Sequence, residues 1–146
     1  PIKELKIDAR YLDEALNVDF QLQALQDQVL SGYARIPVLF TMKSPRIELY
    51  KDKPVEAKVS SVGMTVSVFQ AYSDRIVAKD GLVFMDLALG NTINRPELLG
   101  NFSIQNTAFE VPQYGSKFRD LNLALRFGKN NAFLDKLVLR GGDGKL

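Results

Sequence analysis

The side chains here that could do acid–base or metal chemistry are carboxylates, amides, lysines and tyrosines, because the 146 residues include no His, Cys or Trp. Imidazole triads and His- or Cys-bound zinc sites are excluded with them. Asp13 and Glu14 are adjacent carboxylates, but on a polar turn they read as solvated surface rather than an acid–base pair. Gly141-Gly142-Asp143-Gly144-Lys145 invites a phosphate-loop reading and fails it. Four residues must separate the first Gly from the Gly-Lys pair, and Leu146 stands where Ser or Thr must follow. Asp80, Asp86, Asn91 and Asn94 have no calcium-loop register. Tyr11, Tyr33, Tyr50, Tyr72 and Tyr114 are scattered and not interleaved with a basic patch, so no base-stacking platform is expected. A net charge of +2 is too small for a dedicated nucleic-acid binder. The expectation is a protein that is not an enzyme, with no cofactor and no metal.

The feature with functional content is collective. Segment after segment alternates apolar and polar residues with period two. Leu16, Val18, Phe20 and Leu22 share one face, against Asn17, Asp19, Gln21 and Gln23 on the other. Val83, Met85, Leu87 and Leu89 repeat the pattern, and Leu121, Leu123, Leu125 and Phe127 repeat it again. One dry face and one wet face mark an antiparallel sheet.

Ile2–Ala9 reads as a strand, and Arg10–Ala15 is polar enough to turn. Leu25–Ser31 allows a helical turn and is closed off by Gly32. Tyr33–Met42 resumes as a strand that Pro37 should confine to an edge or a bulge, since proline donates no ladder hydrogen bond. Two short strands flank Lys51–Pro54. Thr65–Ile76 changes period: Val68, Phe69, Tyr72 and Ile76 recur at helical spacing behind Ser67, predicting one short helix. Between Gly90 and Gly115, turn residues break the chain into short strand pieces, and Gly128–Asn131 is a tight reversal. The total is nine or ten strands and one short helix in a single β-rich domain, residues 1–146.

An apolar content of 46% with 25% charge fits a folded chain. No apolar run approaches the length of a membrane span. The chain opens on Pro1 and is expected to be a segment of a longer, repeat-built protein. Nine or ten strands need a second layer, a closure or an apolar ligand over the dry face. Pattern alone favours a sheet folded back on itself as a sandwich or barrel with a filled core.

The stretch from Leu87 to Phe127 adds a resemblance. Leu87, Leu89, Thr92, Ile93, Pro96, Leu98, Gly100, Phe102 and Ile104 follow, in order, the repeat pattern apolar-x-apolar-x-Gly-Thr-apolar, two residues, Pro, apolar, Gly and an alternating strand. Asn106, Phe109, Val111, Tyr114-Gly115, the Leu121–Phe127 strand and Gly142-Asp143-Gly144 continue it. Asn91 departs, standing where the pattern has Gly, and Asn is the next most tolerant residue of a left-handed backbone. From about Val55 onward the chain resembles the repeating unit of TamB-like proteins of the AsmA-like, bridge-like lipid-transfer family.

That resemblance implies a curved antiparallel sheet forming an open U-shaped groove, the β-taco architecture, with an apolar trough along its inside. It implies a periplasmic location in a Gram-negative bacterium, anchored to the inner membrane by a segment outside this sequence. The implied function is carriage of phospholipids between inner and outer membrane in support of outer-membrane assembly, with phospholipid acyl chains and the outer-membrane barrel protein TamA as partners. The trough residues would be Val18, Phe20, Leu22, Val83, Met85, Leu87, Leu89, Phe102, Ile104, Leu121, Leu123, Leu125 and Phe127. Two other readings stay open: a periplasmic scaffold or chaperone that inserts outer-membrane β-barrel proteins by β-augmentation, and a structural spacer with an ordinary core.

Overall fold

The structure is a computed structural model, and it describes residues 2–24, 28–41, 46–68 and 77–141. Ten strands run in chain order: β1 (Ile2–Leu12), β2 (Ala15–Ala24), β3 (Val29–Thr41), β4 (Arg46–Leu49), β5 (Glu56–Thr65), β6 (Val77–Lys79), β7 (Leu82–Thr92), β8 (Arg95–Val111), β9 (Ser116–Gly128) and β10 (Asn131–Gly141). All belong to one sheet with the path β1-β2-β3-β5-β7-β8-β9-β10, while β4 pairs with β3 and β6 with β8. Every pairing is antiparallel. The sheet is curved and does not close into a barrel. The sandwich or barrel that pattern alone favours is therefore corrected: one layer stays open, ending laterally in β1 and β10.

Short reversals set this order. Asp13 and Glu14 form a two-residue turn with φ of 53° and 54°, the left-handed pair that matches the twist of the strands it joins. The β7–β8 and β9–β10 connections are equally tight, closing on Thr92↔Arg95 and Gly128↔Asn131. Asn91, the departure from the repeat pattern, has φ 69°, so Asn does adopt the left-handed backbone there.

Three expectations change. The pieces predicted between Gly90 and Gly115 are largely one 17-residue strand, β8. Its Gly100 (φ 123°) and Asn106 (φ 52°) take positive φ inside the strand; the ladders run unbroken through Gly100, while the register with β9 shifts just past Ile104, at Asn106. Pro37 lies in an interior strand, not an edge. It sits where β3 changes partner, after β5 ends at Arg35↔Glu56 and before β4 begins at Val38↔Leu49, so no ladder needs its missing N–H on that side. Within the predicted helix, the described residues Val66–Val68 form a 3-10 turn. Phe69, Tyr72 and Ile76 lie outside the described residues, as do Met42, Gly142–Leu146 and 25–27 of the helical turn expected over Leu25–Ser31, whose Val29–Ser31 instead open strand β3.

An open single layer buries little. The buried apolar side chains among the described residues are Ala15, Ala24, Val38, Val55, Met64 and Val83, most of them small, and Met64 alone is fully enclosed. The chain exposes 10508 Å². A compact monomer of 16.3 kDa would expose roughly 7,500 Å², so about 3,000 Å² more is left in water.

One rim is clasped. The Val55 N–H donates to the Asn91 carbonyl (2.7 Å) and the Asn94 N–H to that of Lys51 (3.1 Å), while the Asn94 amide donates to Asp52 (2.7 Å). The turn before β5 and the turn after β7 are thus tied together. Lys53 Nζ then reaches Glu14 Oε2 at 2.6 Å, linking the β1–β2 turn to the same clasp.

Candidate functional site: an uncovered apolar face

Directly opposed residues of an antiparallel pair point to the same side of a sheet, so the register decides which side chains meet. One row crosses the whole path: Ile7, Phe20, Gly32, Val59, Leu87, Gly100, Phe127 and Ala132. The next comprises Leu5, Leu22, Leu30, Ser61, Met85, Phe102, Leu125 and Leu134. On one side of these lies Ala9, Val18, Ala34, Ala57, Leu89 and Leu98; on the other, beyond the β5 bulge, lies Met64, Val83, Ile104, Leu123 and Leu137. Thr107↔Leu121 and the stacked rings of Phe109 and Phe118, 4.8 Å apart, continue the face toward the second rim.

All thirteen residues named from alternation therefore stand on one face of one sheet: Val18, Phe20 and Leu22 from β2, Val83, Met85, Leu87 and Leu89 from β7, Phe102 and Ile104 from β8, and Leu121, Leu123, Leu125 and Phe127 from β9. Val83 is buried, and the other twelve are partly exposed, each covered by its neighbours and, among the described residues, not by a second layer. Sequence reasoning left out Leu5, Ile7, Leu30, Val59, Leu134 and Leu137, which complete the same rows. Their alternation is visible in Leu5-x-Ile7 but is broken at Leu134–Leu137 by a bulge in the register. Eight strands at roughly 4.8 Å spacing make the face on the order of 35 Å across.

The face is almost free of polar atoms. Ser61 interrupts one row, with a buried hydroxyl that has no hydrogen-bond partner among the described residues. Thr107, also buried, donates its hydroxyl to the Gln105 carbonyl at 3.5 Å.

The opposite face is wet and ionic. Lys58 pairs with Asp86 at 3.1 Å, and Arg126 with Asp135 at 3.0 Å. A recess of about 640 Å³ on this side is lined by Lys6, Asp8, Asp19, Lys58 and Tyr33 among others, a mixture with no single sign of charge. Of the carboxylates and amides weighed for chemistry, Glu14, Asn91 and Asn94 gather at the clasped rim, each engaged in its own pair with Lys53, Glu97 and Asp52, while Asp86 stands apart with Lys58. Among the described residues, no group of three or more carboxylates is placed to hold a metal.

No protein-family model, no curated protein and no solved structure matches this chain.

Proposed function

We propose that the apolar face is a lipid-binding groove, and that the chain is one segment of a periplasm-spanning carrier of phospholipids between inner and outer membrane. The observation that supports this reading is the set of apolar rows on one face of eight strands, two of them crossing the whole path, with no second layer over them among the described residues. Acyl chains laid along the rows would leave water at about 25 cal/mol per Å² of apolar surface removed. Many Leu, Val, Ile and Phe positions of similar energy suit passage better than one shaped pocket does. Headgroups would stay at the hydrated rims. The periplasmic location, the inner-membrane anchor outside these residues and the partnership with TamA in outer-membrane assembly belong to the same proposal, on the strength of the family resemblance.

Photo-crosslinking in cells tests it. A crosslinker at Leu87 or Leu123 should capture phospholipid. One at Asp86, on the face that carries the Lys58 pair, should not. Equal capture from both faces would remove the reading.

A second reading, a scaffold that inserts outer-membrane barrels by β-augmentation, is favoured by the β10 edge. Leu137, Val138 and Leu139 are exposed there, and β10 has β9 as its one neighbour. Capture of barrel precursors by crosslinkers at Val138, without lipid capture at Leu123, would move it into first place.

A further inference from the structure

The other lateral edge, β1, carries a charge order that complements itself. All eleven of its residues are exposed, Leu5 at 54% and Ile7 at 64%, and β2 is its one neighbour. On the polar face the strand presents Glu4, Lys6, Asp8 and Arg10, alternating in sign. Their opposite positions on β2 supply no countercharge: Gln23, Gln21 and Asn17 are neutral, and Asp19 stands directly against Asp8. Within β1 the charges pair only along the strand, Lys6 with Glu4 at 3.2 Å and Arg10 with Asp8 at 2.8 Å, all well exposed.

We propose that this edge binds a second copy of the chain, antiparallel, about a two-fold axis between the two Ile7 residues; the proposal does not rest on the carrier reading, in which an adjoining segment would occupy the same edge. In that register Glu4 faces Arg10 of the second copy and Lys6 faces its Asp8, and the symmetry repeats both, giving four attractive cross-strand pairs. Sliding by two residues in either direction replaces them with like charges. One slip sets Lys6 against Lys6 and Glu4 against Asp8; the other sets Asp8 against Asp8 and Lys6 against Arg10. Sliding by one residue would put apolar side chains against polar ones. Charges on an edge strand ordinarily prevent pairing. Here their order gives four attractive pairs in one register alone.

The backbone agrees with the charges. Leu12↔Ala15 closes a two-residue turn, and such closing pairs are hydrogen-bonded to each other. The even-numbered residues of β1 therefore turn their N–H and C=O groups toward β2, and the odd-numbered ones turn theirs outward. Leu5, Ile7 and Ala9 are the residues that would bond across the new junction. The charged pairs then occupy the intervening non-bonded positions, where side chains approach most closely. The pairing is regular from Glu4 to Leu12, so no bulge stands in the way. Leu5, Ile7, Ala9 and Tyr11 share the apolar face, so both copies would present that face on the same side.

Sedimentation or light scattering on the 146-residue chain should report twice the 16.3 kDa protomer mass. Lys6→Glu and Asp8→Lys each turn two attractive pairs repulsive, and each variant alone should dimerise about tenfold or more weakly. An equimolar mixture of the two should recover a one-to-one heterodimer, because every facing pair is then of opposite sign. In this cysteine-free chain, oxidised Ile7→Cys should crosslink to itself. Leu5→Cys, whose copies would stand four residues apart along the strand, roughly 13 Å, should not. Circular dichroism confirms that each variant, altered only at exposed positions, remains folded. A monomeric wild type, a dimer indifferent to the single charge reversals, or a mixture that stays monomeric would each overturn the proposal.

Discussion

The ring of Phe20 fills the space over Gly32, its direct neighbour across the β2–β3 ladder. A methyl group at Gly32 would lie 2.7 Å from Phe20 Cε1 and would collide still more closely with the Lys58 carbonyl oxygen. The central row thus holds a large ring beside a position with no side chain, which keeps an aromatic within a single layer.

Gly32→Ala should therefore destabilise the chain by about 1–3 kcal/mol, read from urea unfolding. The nearer clash is with backbone, so combining it with Phe20→Leu should recover little of the loss. Full recovery would mean that the ring, and not the Lys58 carbonyl, sets the limit.

Leu123 stands mid-row between Ile104 and Leu137 and is only partly covered. In a closed core a carboxylate there would be desolvated and unpaired, costing several kcal/mol. On this open face it keeps water, and Leu123→Asp should cost only about 1–2 kcal/mol in thermal or urea melting. If the face carries lipid, the same change in cells should breach the outer-membrane barrier while the protein stays folded. An unfolded Leu123→Asp chain would show that something covers the face.

Two exposed ion pairs give the stability curve opposite arms. The hydrogen bond from Arg126, with the guanidinium charge beside it, holds the Asp135 carboxyl below its usual 3.8. A lowered acid favours the fold above that value, and its contribution is lost as pH falls through the lower folded value. The hydrogen bond to Glu14 raises Lys53 above 10.5, so that contribution is present below 10.5 and lost as pH rises through the raised value. Melting temperature against pH should thus lose part of its acid slope in Asp135→Asn and part of its alkaline slope in Lys53→Met. Both effects should be small, since all four groups are exposed. Unchanged slopes would mean that neither pair orders its turn.

The thirteen face residues were legible because period two survives wherever a strand is regular, and bulges fall between the predicted runs more than inside them. Leu121 is the instructive case. The ladder shifts on both sides of Thr107↔Leu121, yet Leu121 keeps its face because β8 takes up the irregularity at Asn106. Openness was not legible: alternation says which side is dry and nothing about what lies over it. Pro37 misled for a related reason, since the local rule cannot see that β3 hands over from one neighbour to another at that residue. The long β8 was hidden because Gly100 and Asn106 read as turn residues, whereas here they take positive φ inside a strand.

The placement of β1 and β10 at opposite lateral ends of the path has a mechanical consequence. Tension applied between Ile2 and Gly141 crosses the strands and does not run along them. Each ladder is then loaded at one hydrogen bond at a time, like a zipper, and not in shear. Strands would peel from both flanks at low force, each releasing its own contour length. The last resistance would fall at the tie between β5 and β7, where Asn94 and Val55 lash two turns together and the load must break several bonds at once.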